Sequence, residues 1–120
     1  MSITETSFNA FQSLKDSGML NEYELKVLDY IKSHPNAYDL KISKDTNISI
    51  NNICGRRNAL MKAKIILKAG KTISEYTNLP VQSYEFNPMI NLNGLEERLR
   101  IARHQSVKKG RQKKLLTFIL

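Results

Sequence analysis

The sequence predicts a mainly α-helical fold with a small β hairpin. Apolar residues recur at helical spacing through most of the first half of the chain. A short polar turn around Asn47 separates two of the predicted helices. Two β-rich runs, residues 65–67 and 81–86, enclose a polar stretch. After an N-terminal helix, the predicted order is therefore helix, helix, turn, helix, strand, loop, strand.

The first two predicted helices have recognisable ends. Residues 5–17 form an amphipathic helix that Gly18 terminates. The second helix begins after Asn21, which is spaced from Glu24 as in a capping box, and it ends before Pro35. The apolar residues of the first helix are Phe8, Phe11 and Leu14. Those of the second are Tyr23, Val27, Leu28, Tyr30 and Ile31.

Two further helices flank the polar turn. Residues 38–45 form the weaker one, with Leu40 and Ile42 as core contacts. Asn47 tolerates left-handed geometry, and Ser49 is a good N-cap for a helix over residues 50–63. The turn also supplies one buried side chain, Ile48. The inward face of the last helix consists of Ile53, Ala59, Leu60 and Ala63.

The hairpin is predicted from residues 65–86. Residues 65–67 form the first strand, which Gly70 ends, and residues 71–80 form a basic loop. The return strand covers residues 81–86, and its side chains Gln82, Tyr84 and Phe86 share one face.

The last thirty residues add a helix and a tail. Asn93 caps a helix over residues 94–106, in which Leu95, Leu99 and Ala102 lie on one side and Glu96 pairs with Arg100. This side is either the seam of a homodimer formed through residues 89–120 or a surface that packs on the first helix of the same chain. The apolar tail, residues 115–120, is likewise expected to pack on the domain or on a second subunit. Between helix and tail lies a basic run that forms a phosphate-tracking arm or a solvated helix face: Lys108, Lys109, Arg111, Lys113 and Lys114.

Composition limits the class of protein. A chain of 120 residues suffices for one domain that buries about two-thirds of its unfolded surface. A single cysteine allows no internal disulfide and favours a reducing compartment. No signal-like segment or long apolar run is visible, so we expect a cytoplasmic protein without a membrane span.

Charge is distributed unevenly along the chain. The net charge is +8, but residues 1–48 hold five basic and seven acidic residues, whereas residues 49–120 hold fourteen basic and four acidic ones. Residues 49–71 contain six basic residues and no acidic one. This asymmetry indicates a polyanionic partner such as nucleic acid; the alternative is a merely solubilising surface.

The stretch Asn47-Ile48-Ser49-Ile50-Asn51-Asn52-Ile53-Cys54-Gly55-Arg56-Arg57-Asn58-Ala59-Leu60-Met61-Lys62 resembles the turn and recognition helix of winged helix-turn-helix proteins. It is similar to small phage- and prophage-encoded regulators of that class. The resemblance covers residues 20–88, which divides the chain into an N-terminal extension (1–19), the winged helix-turn-helix domain (20–88) and a C-terminal segment (89–120). Such proteins often place glycine just before the first strand, where this chain has Lys64.

The resemblance implies that the helix after the turn enters the major groove of DNA. Asn51, Asn52 and Arg56 are then expected to read base edges, and Ser49 to contact phosphate. The alternative for the two asparagines is a solvated first turn. Arg57 shares the helical phase of core residues, so it either contacts DNA or lays its stem over the core. Phosphate contacts are expected from Lys62, Lys64, Lys68 and Lys71.

We expect no catalytic site, cofactor or metal. His34 and His104 lack a second ligand type at useful spacing, and no glycine-rich phosphate loop is present. The nearby arginines could lower the pKa of Cys54, although a small buried filler is the simpler role. The expected function is sequence-specific DNA binding that regulates transcription by site occupancy. The alternatives are a protein-docking module and a weakly specific DNA-binding accessory of phage replication or packaging.

Overall fold

The computed structural model describes residues 2–104, with side chains described from residue 9 onward. Its helices are α1 (Ser2–Asp16), α2 (Glu22–Ser33), α3 (Asp39–Thr46) and α4 (Ile50–Lys62), followed by strands β1 (Ile66–Ile73) and β2 (Pro80–Phe86). A fifth helix, α5, runs from residue 95 to the last described residue. The predicted class, mainly helical with a small two-stranded antiparallel sheet, is confirmed. The predicted basic run and the apolar tail lie outside the described residues.

Helix α2 begins with the predicted capping box. The Asn21 side chain accepts a hydrogen bond from the Glu24 backbone N–H at 2.8 Å, and the Glu24 side chain accepts one from the Asn21 N–H at 3.0 Å. The placement of Tyr23 on the apolar face is wrong, because its side chain is 40% exposed. The neighbouring Glu24 is fully buried instead, at helical spacing from Val27 and Leu28.

The turn between α3 and α4 forms as predicted. Asn47 adopts left-handed geometry with a φ of 59°, and Ile48 is buried beneath the turn. The Ser49 side chain caps α4 by accepting a hydrogen bond from the Asn52 N–H at 3.4 Å. The four predicted inward residues of α4 are buried: Ile53, Ala59, Leu60 and Ala63.

The first strand is longer than predicted, and the assignment of Gly70 as its end is wrong. The pairing shifts by one residue between Lys68 and Gly70, and Gly70 takes a φ of +106°, which a glycine adopts without steric cost. The strand then continues, because Lys71, Thr72 and Ile73 pair with the opposite strand, and the Gly70 carbonyl accepts a further hydrogen bond from the Ser83 hydroxyl at 2.9 Å.

The hairpin loop is consequently shorter, covering residues 74–79, and Lys71 belongs to β1. The expected basic loop is wrong, since these six residues include Glu75 and no lysine or arginine. On β2, of the three residues predicted to share a face, Tyr84 and Phe86 are buried and Gln82 is partly buried.

The first and last helices share the core of the central elements. Phe11 of α1 packs edge-on against Phe86 of β2, with ring centroids 5.6 Å apart. The predicted seam of α5, made of Leu95, Leu99 and Ala102, is at most 2% exposed within the single chain and belongs to the same cluster. These three side chains are therefore buried within the single chain. Within residues 2–104, no helix is long and apolar enough to cross a membrane.

An ion pair joins α5 to α2. The Arg103 guanidinium donates a hydrogen bond to the Glu24 carboxylate at 2.9 Å and another to the Met19 carbonyl at 2.8 Å. Because Glu24 is fully buried, this pairing compensates the cost of removing its charge from water. The expected pair between Glu96 and Arg100 is wrong, because Arg100 bonds Glu97 instead, one helical turn away.

Replacing Arg103 with alanine is expected to lower the free energy of unfolding by about 3 kcal/mol, near the lower end for a buried pair that loses one partner. The reason is that Glu24 keeps a buried charge with no cation beside it. Urea unfolding followed by circular dichroism measures the change. The matched control is Arg100→Ala, which removes an exposed pair and should leave the unfolding midpoint nearly unchanged. Equal midpoints for the two variants would contradict the proposed role of the Glu24–Arg103 pair.

Candidate nucleic-acid interface

A shared carboxylate fixes the angle between α3 and α4. Arg57 of α4 donates to both oxygens of Asp39, the first residue of α3, at 3.0 Å from Nε and 2.7 Å from Nη2. The same guanidinium lies over the Tyr84 ring of β2, 4.7 Å from its centroid. Both charged side chains are more than four-fifths buried. Arg57 therefore links two helices and the hairpin. This is a structural role, one of the two alternatives that its helical phase left open.

Burial and pairing have opposite effects on the pKa of Arg57. Burial alone would lower this pKa, but the hydrogen bonds and the charge of Asp39 outweigh it, so the pKa is raised. Arg57 consequently stays charged in its partly buried position. Since its Nε and Nη2 donate to Asp39 and the side chain is only 15% exposed, Arg57 is poorly placed to contact DNA as well.

The pKa of the Cys54 thiol is raised, contrary to the lowering that nearby arginines suggested. Burial is the main cause, and the negative charge of Asp39 adds to it. The thiol also donates a hydrogen bond to Asp39 at 3.3 Å. Cys54 is thus part of the Asp39–Arg57 cluster and has no feature of an activated thiol.

The first turn of α4 is open to solvent. Ser49, Asn51 and Asn52 are exposed, as a base-reading role requires. Arg56 differs from the expectation: its residue is half-buried, and its Nε is enclosed without a hydrogen-bond partner in the described part of the chain. The reason is helical phase, because Arg56 falls three residues after Ile53 and four before Leu60, which are both core residues. The prediction that Arg56 projects into the groove is therefore not supported.

A different stripe follows the outer face of α4. Asn51, Gly55, Asn58 and Lys62 recur at intervals of four, three and four residues, the spacing of one helix face. Sequence reasoning missed Asn58, although its seven-residue distance from Asn51 was a visible signal. None of the four is fully buried.

Three of the predicted phosphate-binding lysines surround one groove. This groove, which we call the lysine groove, has a volume of about 500 Å³ between the end of α4 and β1. Its floor contains Met61 and Leu67, and Lys62, Lys64 and Lys68 lie along it. Among the residues that the structure describes, none of these lysines forms an ion pair. Their charges are consequently available to an anion.

Lys64 is held in an unusual backbone conformation. Its φ is 66°, where a lysine costs about 1 kcal/mol relative to glycine. The Ile65 N–H bonds the Leu60 carbonyl at 2.9 Å and the Lys64 N–H bonds the Met61 carbonyl at 3.0 Å, which completes a Schellman motif. Lys64 therefore takes the left-handed position at which winged helix-turn-helix proteins often place glycine.

The remaining predicted lysine lies elsewhere. Lys71 is exposed on β1 beyond the bulge, opposite Gln82, and does not line the lysine groove. Further along, the hairpin loop is tied to α3, because the Glu75 N–H donates to the Tyr38 hydroxyl at 2.9 Å and its carboxylate pairs with Lys41. This end of the hairpin exposes apolar residues instead of cations: Ile73, Tyr76 and Leu79.

Replacing Asp39 with asparagine is expected to lower the free energy of unfolding by about 3 kcal/mol, because Arg57 then holds a partly buried charge without its counter-ion. Urea unfolding measures this loss. The double variant with Arg57→Met should recover part of it, since the uncompensated charge is gone. Strictly additive losses would show that the two side chains do not act as a pair.

The Cys54 thiol is expected to ionise at a higher pH than a free cysteine, because burial and Asp39 both disfavour the thiolate. A plot of its reaction rate with an aromatic disulfide against pH should therefore have its inflection above that of glutathione under the same conditions. The Asp39→Asn variant should move the inflection downward. An inflection below that of glutathione would show that the arginines dominate.

Comparison with known proteins identifies no relative of this chain. No protein-family model matches it, and neither the curated proteins nor the solved structures include a significant match. The functional interpretation consequently depends on the residues and geometry described above.

Proposed function

We propose that this protein is a winged helix-turn-helix module that binds duplex DNA through the outer face of α4 and the lysine groove. The observation that carries the proposal is the charge of this surface. The segment 49–71 holds no acidic residue, and four of its six basic residues form no ion pair among the described residues: Lys62, Lys64, Lys68 and Lys71. A merely solubilising surface would mix both signs. The available lysines would neutralise phosphates, which provides affinity without sequence information.

Sequence discrimination is assigned to the exposed first turn of α4. Asn51 and Asn52 carry amide groups that can pair with adenine N6 and N7 in the major groove, and Ser49 can donate to phosphate. Arg57 is left out of this role because its Nε and Nη2 donate to Asp39 and its side chain is largely buried. Arg56 is left out because its Nε is enclosed by protein atoms, without a hydrogen-bond partner among the described residues. Regulation of transcription by occupation of a DNA site is the corresponding biological role.

Protein docking is the second candidate function, and the end of the hairpin favours it. Ile73 and Leu79 are 60% and 62% exposed, and a mostly apolar hollow of about 350 Å³ lies beside them between α3, Ile50 and β2. Exposed apolar clusters of this kind often mark protein contacts. Such docking would use a surface separate from the lysine groove, so the two functions are compatible.

Binding to duplex DNA is expected to weaken steeply with salt. If Lys62, Lys64, Lys68 and Lys71 each neutralise one phosphate, the logarithm of the association constant should fall with the logarithm of salt concentration at a slope of roughly −3 to −4. Fluorescence anisotropy of a labelled duplex at several salt concentrations measures this slope. Lys62→Ala should reduce its magnitude by about one.

The matched control is Lys26→Ala, an equal loss of charge on α2, where Lys26 pairs with Glu22. It should leave the slope unchanged. Lys64→Gly separates binding from folding, because glycine relieves the positive φ and should raise the unfolding midpoint while DNA affinity falls. Absence of binding at low salt, or equal effects of Lys26 and Lys62, would refute the proposed interface.

A further inference from the structure

The backbone conformation does not require a glycine at position 55, whereas it favours glycine at the other glycine positions among the described residues. Gly18, Gly70 and Gly94 all have positive φ values, between 71° and 106°, where a side chain would be strained. Gly55 lies in the middle of α4 with ordinary helical geometry. A glycine at such a position destabilises a helix by about 1 kcal/mol relative to alanine.

Internal packing does not require this glycine either. A Cβ atom built on Gly55 meets no atom within 4 Å, so a methyl group would stand in open space. By contrast, Ala59 and Ala63, further along the same helix, are buried against the core. Alanine at position 55 would therefore give a more stable fold than glycine.

Gly55 also lies on the face of α4 that is proposed to face DNA. It follows Asn51 by one helical turn on the outer stripe and precedes Lys62 by two. An α-helix with its side chains is about 10–12 Å wide, and the major groove is about 12 Å wide. A missing side chain on the groove-facing side lets the helix backbone approach the base edges more closely than a continuous row of side chains would.

The chemistry of the glycine surface limits what can lie against it. The Cα of Gly55 offers neither a hydrogen-bond donor nor an acceptor, so a polar base edge pressed against it would lose a water partner without replacement. The thymine C5 methyl group is the apolar feature of the major groove and has no such cost. Its paired adenine presents N6 and N7 to an asparagine such as Asn51, one turn earlier on the helix.

From these observations we infer that Gly55 is a specificity-determining residue, which accepts the methyl group of a thymine in an A·T pair read by the neighbouring asparagine. The inference rests on the proposed DNA-binding function and deepens it by naming the base pair opposite the middle of α4. It requires the pair to lie within van der Waals contact of the helix backbone.

The experiment begins with selection of duplexes from a random pool by the full chain. The selected site should contain an A·T pair at which replacing thymine with uracil lowers the affinity of the wild-type protein about fourfold. This factor corresponds to the burial of one methyl group. Uracil at the other thymines of the site serves as the control and should cost less. This arm uses no protein variant, so it does not depend on the folding of a mutant.

The second arm uses Gly55→Ala, which should unfold at a higher urea concentration than wild type. On the thymine site its affinity should drop roughly tenfold or more, because two methyl groups compete for one space. On the uracil site most of that loss should disappear, since the alanine methyl fills the vacated position. The matched control is Asn51→Ala, whose loss should be similar on both sites.

Each other outcome has a defined meaning. Equal affinity of wild type and Gly55→Ala, or equal losses on the thymine and uracil sites, overturns the thymine assignment and leaves DNA binding intact. Selection of no common site also overturns it, because no base is then read. Failure of the wild-type protein to bind any duplex at low salt rejects the proposed function and this inference together.

Discussion

The Asp39–Arg57 pair is the interaction on which the arrangement of the candidate interface depends. It joins the first residue of α3 to the middle of α4, and the guanidinium also covers the Tyr84 ring of the hairpin. Three elements that carry the proposed binding surface are therefore oriented by one largely buried contact. Because partly buried charges are costly when unpaired, small changes in the angle between α3 and α4 are resisted.

The candidate interface contains two positions where the local choice of residue is unfavourable for folding. Lys64 occupies a left-handed position that suits glycine, and Gly55 occupies a helix interior that suits alanine. The lysine at position 64 places a cation beside the lysine groove. The glycine at position 55 leaves the outer face of α4 without a side chain at that point. Local penalties of this kind are expected at functional sites, where binding rather than stability determines the residue.

The C-terminal helix α5 also stabilises the elements that carry the candidate interface. Helix α5 contributes Leu95 and Leu99 to the common core and binds the buried Glu24 through Arg103. Arg98 further donates to the Ala63 carbonyl at 3.2 Å, where α4 ends. The end of α4 beside the lysine groove is therefore fixed by α5, which explains how a lysine with positive φ is retained there.

The sequence by itself determined the local features, namely the capping box of α2, the turn at Asn47 and the basic segment 49–71, because these depend on residues only a few positions apart. Tertiary structure decided which charged groups remain available. Burial of Glu24 depends on Arg103, 79 residues away, and the pairing of Arg57 depends on Asp39, 18 residues away. Such pairings arise from the packing of helices on one another, and short-range patterns do not encode them.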